Sequence, residues 1–573
     1  MLKRKKGLNP FKALAACIFW CLMGLHGQDR YSPLQQIRRD NVARLTVAWT
    51  LPTGDQGTTI ECRPVIEDGI MYVTSPSLRV IALDAATGRI KWSYVTEPPK
   101  PLVGWTVNRG VAYWQRGSQR RVLIGTPDGR LISLDAGNGR PDRAFGQGGI
   151  VDLKAGVTKL SYGVTSAPAI FEDLVILGVA VGEGPAPAAP GDIRAFDVRN
   201  GREVWRFHTV PQPGEFGHET WTGGAGDSWK DRGGVNAWGG ITVDEKSKLV
   251  FAGLGSPAFD FYGGDRKGAN LFGNSVVALD ARTGKRVWHF QTVRHDIWDY
   301  DLPTPPVLVK SQGKEAVAQV TKTGHVWVLD SLTGVPLFGY DERAVPPSDV
   351  PGEEAWPTQI FPRKPPPIAP QQFEPSEASP ETRTLRCCSI FTPPSLQGTV
   401  TSPGFHGGAN WSGAAWDPRT GFLYVNTNNV PNLTTLVPRK EGGYGIKGYI
   451  RFLDQDGNPA SKPPWGLLTA VDLNGGEIVW QKTLGDGNGS ENLGGAMVTA
   501  GGLVFIASTK DEKFRAFDAA TGDVLWEYKL PAGGYAAPVT YLVKGKQYVT
   551  IAAGGGGKLG TKRGDSFVTF ALR

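Results

Sequence analysis

The string HDIWDYD (His295–Asp301) places three carboxylates, an imidazole and two aromatic rings in seven consecutive positions. Asp299 and Asp301 stand two apart, so on an extended segment both point to one face. Carboxylates that close repel each other unless a cation or a shared proton lies between them. A cation- or proton-holding site is one reading of such a string, and a solvated acidic loop is the other. Several other chemistries find no support. There is no G-x-S-x-G and no H-E-x-x-H. The run GGGGKLG (Gly554–Gly560) fails as a phosphate loop, because its first-glycine spacing is wrong and Leu559 follows the lysine.

The elements that must position these acids are written as a repeat. ALDAATGRIKW (Ala82–Trp92) has relatives at Ser133–Arg140, Ala195–Trp205, Ala278–Trp288, Val328–Phe338, Ala470–Trp480 and Ala516–Trp526. In each, an apolar strand ends at an Asp whose side chain caps a turn. Gly then takes the position that needs φ > 0. A second strand carries an aromatic residue, in most copies Trp, into the layer between neighbouring units. Successive Asp residues lie mostly 46–83 positions apart, which suits four-stranded propeller blades. One gap of 142 contains Asp341–Val400, where 13 of the 43 prolines fall, and this stretch reads as an extended insertion rather than a domain. VARLTVAWTLPTG, with Trp49, offers a partial eighth copy. Gly533–Leu572 carries strands without the motif. An N-terminal strand completing the last blade would close the ring and remove its exposed edges. The expectation is all-β: one eight-bladed β-propeller over residues 31–573.

The chain of 573 residues carries a net charge of +8, but Lys3, Arg4, Lys5, Lys6 and Lys12 supply five of those charges. The basicity therefore belongs mainly to the leader, and a nucleic-acid partner is not expected. Residues 1–27 have a basic start, an apolar run from Phe11 to Leu25 and small or polar residues after it. This is the pattern of a signal peptide or N-terminal anchor, and it predicts a periplasmic protein, free or tethered to the inner membrane. Beyond the leader stand Cys62, Cys387 and Cys388, enough for one disulfide and one leftover thiol. No C-x-x-C-H haem site occurs.

The repeats resemble the tryptophan-docking motifs of quinoprotein dehydrogenases, propeller enzymes that bind pyrroloquinoline quinone (PQQ). Longer strings strengthen the resemblance: Phe207–Trp221, Asn274–Pro303, Gln319–Asp330 and Gly407–Gly421. They are most similar to the membrane-associated, glucose-dehydrogenase-like branch. The resemblance implies that Asp299 accepts the substrate hydroxyl proton while hydride leaves the same carbon. It also implies a cofactor set. Trp238 would be the stacking platform, Arg109 a cofactor contact and Lys322 the cation near the quinone oxygens. Thr165 and Ser166 would serve as hydroxyl donors to the cofactor carboxylates. Asn410 would be an amide at the cofactor edge, and Glu61 a further site residue. Taken alone, each has a plainer reading: a blade-core Trp, surface ion pairs, hydroxyls in a turn, a Glu at a strand start. For the metal, the resemblance implies Glu183, Ser256, Asp299 and Asp301 around one ion, with Ca²⁺ or Mg²⁺ favoured over a lanthanide.

Two departures bear on substrate. Some alcohol-oxidising members place adjacent cysteines where Val103 and Gly104 stand here, and an Asn where Ser256 stands. Both point away from methanol and towards a sugar, polyol or other alcohol. Without a haem motif, electrons are expected to pass to ubiquinone or a separate cytochrome. The alternative class is a non-catalytic propeller scaffold for envelope-protein interactions, since such scaffolds carry similar repeats. HDIWDYD, Trp238 and Lys322 together argue against it.

Overall fold

The computed structural model describes residues 30–97, 107–157, 160–222, 228–375 and 385–573. The leader, together with Val103 and Gly104, lies outside the described residues. Among the described residues no helix is long and apolar enough to cross a membrane.

Eight antiparallel meanders follow one another along the chain. Blade 1 starts with Val65–Glu67 and ends with Ile90–Tyr94; blade 2 runs from Ala112–Arg116 to Ile150–Asp152. Blade 3 runs from Ala169–Phe171 to Glu203–Phe207, and blade 4 from Ile241–Asp244 to Arg286–Gln291. Blade 5 has three strands, Val307–Ser311, Lys314–Val320 and Val326–Asp330. Blade 6 runs from Ala415–Asp417 to Glu477–Thr483, and blade 7 from Met497–Thr499 to Val524–Lys529. Blade 8 is assembled from both ends of the chain. Its strands Val539–Val543, Lys546–Gly555 and Arg563–Leu572 are completed by Leu45–Pro52, paired in register from Leu45↔Leu572 to Pro52↔Ser566. The ring is therefore closed by main-chain hydrogen bonds between strands more than 500 residues apart in sequence, and no blade is left with a bare edge at the seam.

The repeat motif works between blades as well as within them. Asp84 accepts hydrogen bonds from the N–H groups of Ala86 (3.1 Å) and Thr87 (3.0 Å), closing the turn. In the copies that end in Trp49, Trp92, Trp205, Trp288 and Trp480, that Trp reaches the next blade. Trp205 Nε1 donates to the Ala281 carbonyl at 3.0 Å, and Trp288 Nε1 to that of Ser331 at 3.0 Å. Trp49, Trp92 and Trp480 do the same to Ala85, Ala136 and Ala519. Each ring lies flat on the turn glycine of the neighbour. At Gly284, φ is +68°, and a Cβ would fall 2.5 Å from the Trp205 ring. Glycine is thus required twice over, by backbone conformation and by the ring above it. Burying an aromatic of this size is worth about 3–5 kcal/mol per site.

The meander also decides where functional side chains gather. The loop leading into the first strand of a blade and the connection between its second and third strands lie at the same end of the blade. Glu61, Arg109, Thr165, Ser166, Trp238, Asp299, Asp301 and Asn410 sit in leading loops; Glu183, Ser256 and Lys322 sit in second-to-third connections. All of these candidate positions consequently fall on one face of the ring.

The proline-rich stretch after blade 5 covers that face. Tyr340–Ala344 pairs with Thr358–Pro362, and Thr399–Thr401 joins Asn432–Thr434 and Ile450–Arg451 in a small sheet. Cys387 and Cys388 are joined in a disulfide, and Cys62 is the free, buried thiol.

His325, in the same turn as Lys322, is buried, with Nδ1 3.0 Å from Thr323 Oγ1 and its ring edge-on to Phe361. Burial, reinforced by the Arg343 guanidinium, pushes its imidazole down from 6.5 to about 3. The unfolded chain therefore binds this proton first. Its contribution to stability is complete above about pH 6.5 and is lost as the pH falls towards 3. Replacing His325 by Gln should flatten the acid limb by up to about 1.4 kcal/mol per pH unit between those values. Urea denaturation at stepped pH measures this, and parallel limbs for the two proteins would refute it.

Candidate active site

The acidic string is not a strand. Asp299 takes φ +58° and His295 φ +48°, so the segment turns sharply. Asp299 and Asp301 still converge, but through this left-handed turn rather than through strand alternation. What they converge on is Lys322. Its Nζ lies 2.6 Å from Asp299 Oδ1 and 2.9 Å from Asp301 Oδ2, and also donates to the Asp299 carbonyl at 3.0 Å. All three side chains are buried. Asp301 accepts two further hydrogen bonds, from the Ser256 N–H at 2.6 Å and from Trp238 Nε1 at 3.2 Å. Burial works against its charge, yet Lys322 and the Ser256 donor outweigh burial and hold its carboxyl below the usual range. Asp299 behaves oppositely. Burial drives its carboxyl well above the ordinary value, Asp301 and Glu183 add to the effect, and Lys322 opposes it.

The other members of HDIWDYD build the support. Asp296 is fully buried and takes hydrogen bonds from the N–H groups of Trp298 (2.9 Å) and Tyr300 (2.8 Å), from Asn274 Nδ2 (2.8 Å) and from the Ser256 hydroxyl. Trp298 and Tyr300 point away from the acids into an apolar cluster with Ile390 and Phe391 of the insertion. Trp298 Nε1 donates to the Thr392 carbonyl at 3.0 Å, and the Tyr300 hydroxyl reaches the Ile390 carbonyl at 2.9 Å. The residues just after the Cys387–Cys388 pair thus clamp the aromatics on either side of Asp299. His295 bridges Gly268 and the insertion's Glu353, at 2.8 and 2.9 Å.

Beside this centre lies a cationic and aromatic platform. Arg109 pairs with Glu61 at 3.0 Å and donates to Thr165 Oγ1 at 3.0 Å. Its guanidinium sits 5.3 Å from the Trp238 ring centroid and 4.6 Å from that of Trp411. The loops carrying these residues are stitched together around the ring: Arg63 N–H to the Arg109 carbonyl (3.1 Å), and Arg109 N–H to the Thr165 carbonyl (2.9 Å). Ser166 is buried next to Thr165. Asn410 turns its amide to the His406 carbonyl, and its Oδ1 accepts from the Trp411 N–H at 2.7 Å, so it shapes the loop that presents Trp411.

Further acids surround Asp299 and Asp301. Burial, with Asp301 nearby, pushes Glu183 up to about 7. Asp260 is fully buried and within electrostatic reach of Glu183, Asp299 and Asp301. Lys558, at the solvent-facing rim, is within reach of Glu61, Glu183, Asp299 and Lys322. Among the described residues, no three acidic, His or Cys side chains are drawn close enough to chelate an ion as they stand. Charge favours a cation nonetheless: four carboxylates (Glu183, Asp260, Asp299, Asp301) face two ammonium groups, and both oxygens of Asp260 lack a partner. The platform likewise fits a flat polyanion, with two indoles for stacking and Arg109, Thr165, Lys322 and Lys558 as donors.

The structure therefore brings Glu61, Arg109, Thr165, Trp238, Asp299, Asp301 and Lys322 into one connected network, with Glu183 and Ser256 at its edge. Residues not singled out from the sequence are Asp260, Asp296, Trp411 and Lys558. Their signal was positional: Asp260 and Lys558 lie in second-to-third strand connections, and Trp411 lies in a leading loop beside Asn410.

Known proteins match this chain over most of its length. Residues 20–549 match the family described as "PQQ: Glucose/ethanol/alcohol dehydrogenase, beta-propeller domain". The quinoprotein glucose dehydrogenase of Escherichia coli (strain K12) is 33% identical over 95% of this chain and 77% of its own length. Among solved structures, the quinohemoprotein alcohol dehydrogenase of Comamonas testosteroni is 30% identical, with a TM-score of 0.74, over 95% of this chain and 78% of its own. A europium-containing methanol dehydrogenase is 27% identical, with a TM-score of 0.75, over 95% of this chain and 96% of its own.

Proposed function

Since the chain belongs to the PQQ-dependent glucose/ethanol/alcohol dehydrogenase family of β-propellers, we propose that this oxidoreductase of CH–OH groups acts on a sugar or polyol in the periplasm, free or membrane-tethered, and passes electrons to ubiquinone or a separate cytochrome. The observation that carries the reading is the buried Lys322 ammonium shared by Asp299 and Asp301, beside the Arg109–Trp238–Trp411 platform. A propeller that only scaffolds other proteins has no use for a buried, electrostatically strained acid next to such a platform.

In this reading Trp238 and Trp411 flank the cofactor, Arg109, Thr165 and Ser166 lie at its carboxylates, and the Asn410 amide lies at its edge. Glu61 fixes Arg109, and Lys322 faces the quinone oxygens. When bound, PQQ supplies the acceptor for the hydride leaving the alcohol carbon. Asp299 takes the hydroxyl proton. Burial raises its carboxyl above that of an ordinary Asp, which makes its ionised form a stronger proton acceptor. Glu183, Asp299 and Asp301 would supply carboxylates to one hard cation, with Ca²⁺ or Mg²⁺ preferred.

The purified chain is expected to oxidise aldoses or polyols with a dye acceptor only after PQQ and a divalent ion are both added, and chelation before reconstitution should abolish turnover. A folded chain that binds no PQQ at micromolar concentration would overturn the proposal. Activity restored by La³⁺ but by neither Ca²⁺ nor Mg²⁺ would overturn the divalent choice alone.

A further inference from the structure

Ser256 is badly placed to give a cation an oxygen. Its hydroxyl donates to Asp296 and accepts from Asn274 Nδ2 at 3.4 Å, while its N–H is spent on Asp301. Those bonds hold the acidic turn in shape, and turning the hydroxyl towards an ion would break the one to Asp296. Four residues on stands Asp260. It has no exposed surface, and neither carboxylate oxygen has a hydrogen-bond partner. A buried carboxylate with nothing to accept from is costly, and protein interiors rarely leave one so.

The surroundings give that carboxyl no other role. The backbone before it is pinned by Ala258 N–H to the Gly233 carbonyl (3.1 Å) and by Arg266 Nη2 to the Phe259 carbonyl (2.9 Å). Phe259 and Phe261, its sequence neighbours, are buried; Phe261 packs on Phe259, Phe405 and the half-exposed Tyr449, with ring centroids 5.6–5.8 Å apart. Neither oxygen of Asp260 accepts a hydrogen bond from these neighbours. The charges that act on Asp260 are Glu183, Asp299 and Asp301, with Lys322 as the opposing cation. Its carboxyl shares its field with the very acids that the proposed function places around the ion.

We propose that Asp260 is a carboxylate ligand of the active-site cation in this chain, taking the place that the family resemblance assigns to Ser256. The inference rests on the proposed cation-assisted function and adds a ligand to it. A fourth carboxylate also raises the negative charge around the ion, which strengthens cation affinity.

The test is calorimetric titration of Ca²⁺ into metal-free, PQQ-loaded full-length protein, for wild type, Asp260→Asn and Asp260→Ser, with thermal midpoints taken with and without Ca²⁺. Both variants should lose at least about tenfold in Ca²⁺ affinity, since one anionic ligand is gone. The metal-free midpoint should stay level or rise, because a buried unpartnered acid has been removed, while the increment on adding Ca²⁺ should shrink. A merely structural Asp260 would do the reverse, lowering the metal-free midpoint and leaving affinity intact. Wild-type affinity in either folded variant overturns this inference and leaves the proposed function standing. Wild-type protein that binds PQQ but neither Ca²⁺ nor La³⁺ overturns the cation reading itself, and this inference with it.

Discussion

Asp299→Asn should lower turnover by about 10²–10⁴-fold while PQQ still binds. The substitution keeps the side chain's size and removes the proton acceptor. Burial raises both acids that meet Lys322, but only Asp299 stays raised, whereas Asp301 is held down by Lys322 and the Ser256 N–H. Their roles differ accordingly. Asp301 is locked by three donors, and Asp299 is the one able to exchange a proton. Cofactor binding should survive, because Arg109 and Trp238 contact neither oxygen of Asp299. Steady-state turnover and a PQQ titration on the same preparation separate the two effects. Near-wild-type turnover in a PQQ-saturated variant would falsify the assignment of Asp299 as the base.

Arg109→Ala has the next largest expected effect, and it should appear in two measurements at once. Arg109 is buried between two indoles and is the ion-pair partner of Glu61, which burial already pushes towards neutrality. Removing one member of a buried pair costs about 3–5 kcal/mol, because the other is left without compensation. The unfolding midpoint in denaturant should fall accordingly. PQQ affinity should also drop, by about 10-fold or more, since a charge-assisted hydrogen bond is worth roughly 1.5–3 kcal/mol. Arg109→Lys should restore part of the stability but little of the affinity, because an ammonium cannot reproduce the flat, forked guanidinium between two rings. Unchanged PQQ affinity in a folded Arg109→Ala protein would remove Arg109 from the cofactor site.

How much of the site could be read in advance varied with the origin of each contact. The Asp-turn, glycine and Trp of the repeat are local in sequence and act on the nearest neighbour, so their spacing announced both the blade and the docking of one blade on the next. The pairing of Leu45–Pro52 with Arg563–Leu572 was legible for a related reason. An eighth Trp-bearing strand at one end and a blade without its motif at the other leave edges that only each other can satisfy. The convergence of Asp299 and Asp301 was expected from strand alternation, and it came about through a left-handed turn held by Asp296.

Sequence by itself determined the eight-bladed ring and the acidic string, because the first follows from a short local repeat and the second from seven consecutive residues. Tertiary structure alone decided which charges meet. Lys322 and Asp301 are separated by two strands of blade 5, yet they come within 2.9 Å. Ser256, which the family resemblance puts among the ligands, spends its hydroxyl on Asp296. Asp260, without any motif, arrives buried and unpartnered beside Glu183 and Asp299. Electrostatics falls off with distance through space, not along the chain. A carboxylate's role is therefore fixed only when the blades have closed and set which donors, cations and other acids stand around it.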